Sequence, residues 1–216
     1  MKYSKTCIIF DFDFTLTEKS LDDTLNHNKI STGERIVTRS DQDKNAFVND
    51  LFGGYHRLYI LKKFLRNVFN KHIDLHISCH NRLKDIIFAL ETADLLQYFK
   101  TIHSVVDKTI QQNFLIVHHV YYPYNKDRFV FDTLHQDYTN VIYIDDNQSY
   151  HHMLKSLLDN CIEHATYDIG RIQIDDVAKK YTFIKTLKQK GDGMFNLELR
   201  ILNNLLCKDS LNSLRS

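Results

Sequence analysis

Residues Ile8 to Thr17 read IIFDFDFTLT, an apolar run that stops in two acids, Asp11 and Asp13, followed by Thr15. Ionised carboxylates are costly to bury unless they are paired or hold a metal. Open α/β sheets place their ligands at the carboxyl ends of the strands. A buried strand over Lys5–Phe12 with its acids at that end therefore predicts both a fold class and a candidate chemistry.

Working outward, the chain alternates strand and helix signals. After the acids, 18–44 is polar and lacks sustained periodicity, which predicts an insertion or flap over 18–50. Leu58, Leu61, Phe64, Leu65 and Val68 recur at helical spacing within Ala46–Asn70, with Gly53 and Gly54 breaking that segment in two. Ile73–Ser78 (IDLHIS) predicts a second strand, and Leu83, Ile86, Ile87 and Leu90 an amphipathic helix. Thr101–Val106 predicts a third strand. Asn113–Tyr122 has strand propensity with no evident place in a parallel sheet.

Lys126–Tyr138 reads as a helix, and Val141–Asp145 (VIYID) as another strand ending in acids. A helix over Asn147–Leu158 and a weaker strand near Cys161–Asp168 follow. The stripes Val177, Tyr181, Ile184 and Leu199, Leu202, Leu206 predict helices over about Asp175–Lys190 and Phe195–Cys207. Strands alternating with helices imply right-handed crossovers and a parallel sheet. The expected organisation is an α/β core over 1–170, with helices over 171–216 packed on it.

Composition narrows the function. The 216 residues are 43% hydrophobic and 25% charged, which is globular. Lys and Arg number 28 against 27 Asp and Glu, so no strong field favours nucleic acid or an acidic membrane surface. No apolar run approaches the roughly 20 residues of a membrane span.

Four widely spaced cysteines (Cys7, Cys79, Cys161, Cys207) point to a reducing, cytoplasmic compartment. A cysteine-based phosphatase needs an arginine six residues after its nucleophile, and those positions hold Asp13, Asp85, Tyr167 and Ser213. His76, Cys79 and His80 are zinc-ligand types, but no second half-site follows them.

Four features then fall in order at strand ends or helix starts: DFDFT (11–15), Ser78, Lys126 and Asp145–Asp146. Lys108 is a rival to Lys126 in the same interval. In a parallel sheet these ends converge on one crevice. The order and character resemble the haloacid dehalogenase superfamily, whose motifs are DxDxT, a Ser or Thr, a Lys and an acid pair. Phe14 departs from that pattern, standing where the family most often has glycine.

The resemblance implies a three-layer Rossmann-like fold and a phosphoryl-transfer site. Asp11 is then the nucleophile and Asp13 the acid/base, with Lys126 offsetting charge. Ser78 binds a phosphoryl oxygen, and Thr15 orients the loop after Asp13. Phe14, outside the family pattern, is expected to wall the pocket, to contact an aromatic substrate, or simply to pack within the loop. Mg²⁺ is held by Asp11, the Asp13 carbonyl and Asp146, with Asp145 as orienting residue or alternate ligand. His80 is close enough in sequence to touch a substrate, although a surface or packing role is commoner.

About 30 residues separate the first motif from the next helix, too few for a large lid. An uncapped crevice accepts a side chain projecting from a protein. The chain resembles lightly capped magnesium-dependent phosphatases acting on phosphotyrosine, effector enzymes of intracellular bacterial pathogens among them. The expectation is a phosphoprotein substrate. A sugar phosphate or nucleotide is the alternative, and a catalytically silent binding module a third reading.

Overall fold

A computed structural model of the chain describes residues 6–30, 40–107, 109–112, 115–118, 126, 138, 140–147, 149, 150, 153 and 180–185. The stretch that decides the fold forms β1 (Thr6–Phe10), buried on both faces from Cys7 onward. A continuous apolar run is what a strand covered on both sides requires. The remaining strands are β2 (Asp74–Cys79), β3 (Thr101–Ser104), β4 (Thr109–Gln112), β5 (Leu115–His118), β6 (Asn140–Asp145) and β7 (Lys180–Lys185).

They make one sheet of order β5-β4-β3-β2-β1-β6-β7. The segment from β3 to β7 in that order is parallel throughout, and β4 and β5 close one side antiparallel. The strand order reverses at β1: β2 and β3 extend to one side, β6 and β7 to the other. Such a switch point opens a crevice beyond the carboxyl ends of its two strands, here β1 and β6. Phe10 stands level with both Ile77 and Ile144, so Asp11, Ser78 and Asp145 follow one another across the sheet just beyond that row.

Four helices are described: α1 (Leu21–His27), α2 (Asp41–Phe52), α3 (Tyr55–Asn70) and α4 (Leu83–Thr92). Ser40 caps α2 by accepting from the Asp43 N–H at 3.2 Å and donating to its carboxylate at 2.8 Å, satisfying a backbone donor the helix start leaves open. Gly53, at φ 77°, ends α2 in the left-handed conformation that glycine adopts at little cost. The break expected at Gly53–Gly54 is therefore present. The apolar stripe of α3 (Leu58, Leu61, Phe64, Leu65, Val68) is buried as its spacing predicts.

One expectation is corrected, and two are given a definite form. Within the insertion or flap expected over 18–50, the described residues carry α1 and most of α2, and their Leu21, Leu25, Phe47 and Val48 belong to the same apolar core as Ile8 and Phe10. Short helices held by tertiary burial do not need a long periodic signal. Within the helix expected over about 175–190, the described residues Lys180–Lys185 form strand β7 beside β6. Tyr181–Ile184 is an aromatic and β-branched run of strand length, and that local preference outweighs the helical spacing of the stripe. Finally, the strand propensity of Asn113–Tyr122 takes form in β5 (Leu115–His118), which pairs antiparallel with β4 and so needs no place in the parallel part of the sheet. The helices expected over Lys126–Tyr138, Asn147–Leu158 and Phe195–Cys207, and the strand near 161–168, lie largely or wholly outside the described residues.

A polar cluster anchors the amino ends of the strands. The Tyr138 hydroxyl donates to Asp74 Oδ2 at 2.6 Å, and Lys100 reaches the same oxygen at 2.7 Å. His76 Nε2 lies 3.0 Å from that hydroxyl. The opposite ends are thereby left to the acids. No described helix is long and apolar enough to cross a membrane.

Candidate active site

Asp11 extends β1 by one residue, its N–H donating to the Ile144 carbonyl at 2.8 Å. Its carboxylate is buried and meets the Lys126 ammonium at 2.5 Å. Lys126 also donates to Asp145 Oδ2 at 3.1 Å, so one buried cation bridges the acids at the ends of β1 and β6. Asp145 accepts from the Tyr143 hydroxyl at 3.0 Å on that same oxygen and from the Asn147 N–H at 2.8 Å on the other. With both oxygens engaged, Asp145 is built to orient its neighbours.

Burial pushes the Asp11 carboxyl up from 3.8 to about 7, against the pull of Lys126. Burial works to lower Lys126, but Asp11 and Asp145 together carry it above its ordinary value. The ammonium therefore stays charged. Two carboxylates with one ammonium leave a net negative charge in a dry place, an arrangement that favours a further cation.

The chain then turns sharply. Residues 12–16 form a tight loop closed by the Thr17 N–H on the Phe12 carbonyl at 3.1 Å, and Phe12 and Leu16 pin both ends in the core. Phe14 sits at φ 57°, ψ 7°, a left-handed conformation that disfavours any side chain with a Cβ. Where this chain has phenylalanine, the turn itself calls for glycine.

The loop presents Asp13, whose Oδ1 accepts from the Leu21 N–H at 2.9 Å and Oδ2 from Asn81 at 3.0 Å. Burial raises the Asp13 carboxyl, and those two bonds partly offset it. Asn81 is itself held through its carbonyl by Ser104 Oγ at 2.7 Å. Beneath the loop, the buried Arg57 donates to the carbonyls of Leu16 and Phe52, each at 2.9 Å, with the Thr15 carbonyl at 3.5 Å. The loop is thus fixed from both sides.

Asp11, Asp145 and Asp146 each offer a carboxylate oxygen within 4.8 Å of the others. An all-oxygen set suits a hard divalent cation such as Mg²⁺, so these residues fit one chemically. Thr15 is fully buried. Ser78 is buried as well, one residue past the Phe10–Ile77 pair at the end of β2, and its hydroxyl lies 2.9 Å from His103 Nδ1 on the neighbouring strand. Burial drives His103 down to about 3, so it stays neutral. Lys108 lies outside the described residues.

Cys79, the next residue on β2, is buried, and its thiol is pushed up first by burial and then by Asp11. A thiol held that way is inert. His76 is committed to Tyr138, so the His76–Cys79–His80 trio forms no metal cluster among the described residues.

Asn81, Arg57, Tyr143 and Tyr150 were not singled out from sequence. Tyr150 lies with its ring centroid 4.4 Å from the Lys126 ammonium and its hydroxyl 2.6 Å from His80 Nε2. Burial, then Lys126, lowers His80 and favours its neutral form. Only Asn81, three residues past the Ser78 position, carried any signal, as a polar residue in a strand-to-helix turn.

Comparison with protein-family models finds no match, and comparison with curated proteins finds none either.

Proposed function

We propose that this chain is a Mg²⁺-dependent phosphomonoester hydrolase of the haloacid dehalogenase type, acting through an aspartyl-phosphate. The observation that carries this reading is the buried Asp11–Lys126–Asp145 bridge at the switch point of the sheet, joined from residues 115 apart in the first pair. A structural ion pair has little reason to lie at that crevice, with a third acid beside it and a second acid on a strained loop.

In this reading an Asp11 carboxylate oxygen attacks phosphorus as the bond to the leaving oxygen breaks. Asp13, kept protonated more readily by its burial, gives its proton to that oxygen. The Asp13 carboxylate then takes a proton from water as the water attacks the aspartyl-phosphate, regenerating both acids. Lys126 holds Asp11 in place and offsets charge at the phosphoryl group. Asp145 keeps Lys126 and the Asn147 turn in register. Asp11 and Asp146, with the Asp13 carbonyl, would hold Mg²⁺, which supplies charge neutralisation of the phosphoryl oxygens when bound.

The substrate in this reading is a phosphoprotein, with phosphotyrosine favoured. The support is that the residues available for a cap, so far as they are described, fold into the core as α1 and α2. The test is hydrolysis of para-nitrophenyl phosphate and a phosphotyrosyl peptide by purified protein with Mg²⁺, set against a sugar-phosphate and nucleotide panel. Turnover should vanish with EDTA and in Asp11→Asn. A protein inactive on every ester, or an Asp11→Asn variant as active as wild type, overturns the reading. Higher kcat/KM on the metabolites overturns the substrate assignment alone.

A further inference from the structure

The bridge leaves one side of the Lys126 ammonium facing neither carboxylate, and there the Tyr150 ring covers it at 4.4 Å. Lys126 is only 2% exposed. Tyr150 is held by its hydroxyl 2.6 Å from His80, whose own ring lies 5.5 Å away and tilted by 31°. His80 comes from the turn after β2 and Tyr150 from the residues after β6, so the pair reaches across the end of β1. Both are at least partly exposed. Two linked rings therefore stand at the mouth, beside the path to Asp11 and Lys126.

We propose that Tyr150, positioned by His80, is the specificity-determining residue for the leaving group, giving aromatic phosphoesters a ring face to stack on. This rests on the phosphatase reading above. A phosphoryl group that reaches Asp11 and Lys126 brings its ester oxygen and first carbons beside the Tyr150 ring. An aryl group there gains a ring–ring contact that an alkyl chain lacks, and such contacts are worth about a twofold to tenfold preference. The hydroxyl bond to His80 keeps the ring from collapsing into the crevice. Its role is positional, and no proton transfer is assigned to it.

The experiment compares phenyl phosphate with propyl phosphate, as kcat/KM, in wild type, Tyr150→Leu and Tyr150→Phe. Each variant's ratio is compared with the wild-type ratio, so the intrinsic reactivity of the two esters cancels. In Tyr150→Leu the aryl-over-alkyl ratio should fall about twofold to tenfold. Tyr150→Phe, which keeps the ring but loses the hydroxyl bond to His80, should give a ratio between those of wild type and Tyr150→Leu. Calorimetric binding of phenylphosphonate against methylphosphonate with Mg²⁺ gives the same ratio for a variant too slow to assay.

An unchanged ratio in Tyr150→Leu overturns the proposal and leaves the ring as a cover for Lys126. Wild-type protein that turns over neither ester but prefers phenylphosphonate refutes the phosphatase reading alone. If it shows no such preference, both readings fall.

Discussion

Replacing Asp11 with asparagine should abolish turnover and at the same time stabilise the metal-free protein at alkaline pH. Burial holds the Asp11 carboxyl at about 7 in the fold against an ordinary 3.8. Between those two values the folded chain keeps a proton that the unfolded chain has released. Its contribution to stability is thus fully present below about pH 4 and is lost as pH rises through about 7. By pH 8 the difference of about 3 pH units, at about 1.36 kcal/mol each, corresponds to about 4 kcal/mol. Relaxation and water entry soften penalties of this kind, so a net gain of about 1–3 kcal/mol is expected for the neutral side chain.

Asparagine keeps an oxygen for Lys126, and Lys126 keeps Asp145, so the substitution leaves a balanced pair behind. For a chain of 216 residues the gain amounts to about 2–4 °C in Tm per kcal/mol. Urea unfolding in EDTA at pH 5 and pH 8 reads it directly. The gap should be only about a third to a half as large at pH 5, where the unfolded chain has passed its own titration by just over one pH unit, as at pH 8, where the full difference of about 3 pH units applies. Mg²⁺ at a hundredfold excess over its Kd should then restore about 2.7 kcal/mol to wild type and much less to the variant. A gap equal at both pH values, or a variant less stable than wild type at pH 8, refutes the reasoning.

Two further substitutions probe the loop and its supports. At Phe14, glycine should be more stable than alanine by about 1 kcal/mol in thermal unfolding, because both lose the ring but only glycine relieves the left-handed backbone. Asn81→Ala should lower kcat by about tenfold through loss of a hydrogen bond to a charged group. It should also move the Asp13 step in the pH–rate profile upward, since the lost bond favoured the ionised form, and an unmoved profile would show that Asn81 does not position that acid.

The acids were legible because a strand core forces its hydrophobic run to be continuous and then to stop. Asp11 and Asp145 stand at such stops, so sequence alone placed them at the carboxyl edge. Lys126 could be named only as one of two lysines, because nothing local distinguishes a lysine that will be buried from one that will not. Ser78 was read from its place at a strand end, and the sheet register adds a neighbour, His103, that sequence spacing does not reveal. Arg57 and Tyr150 were invisible, and Asn81 showed only as a polar turn residue, for a related reason. Each acts on a residue more than 40 positions away. In β7 two periodicities competed within one short run, and the neighbouring strand decided the outcome.

The 115-residue separation between Asp11 and Lys126 also bears on the order in which the protein is made. Ribosomes add roughly 5–20 residues per second, so Asp11 emerges about 6–23 s before its counter-ion Lys126. During that interval β1 can begin to assemble with β2 and β3 while its terminal acid remains at a wet edge, where leaving it ionised costs little. Closure around Lys126 then converts an ordinary surface aspartate into a desolvated one. Synthesis itself thereby acts as a timer, and a nascent chain halted short of residue 126 carries Asp11 without its buried counter-ion.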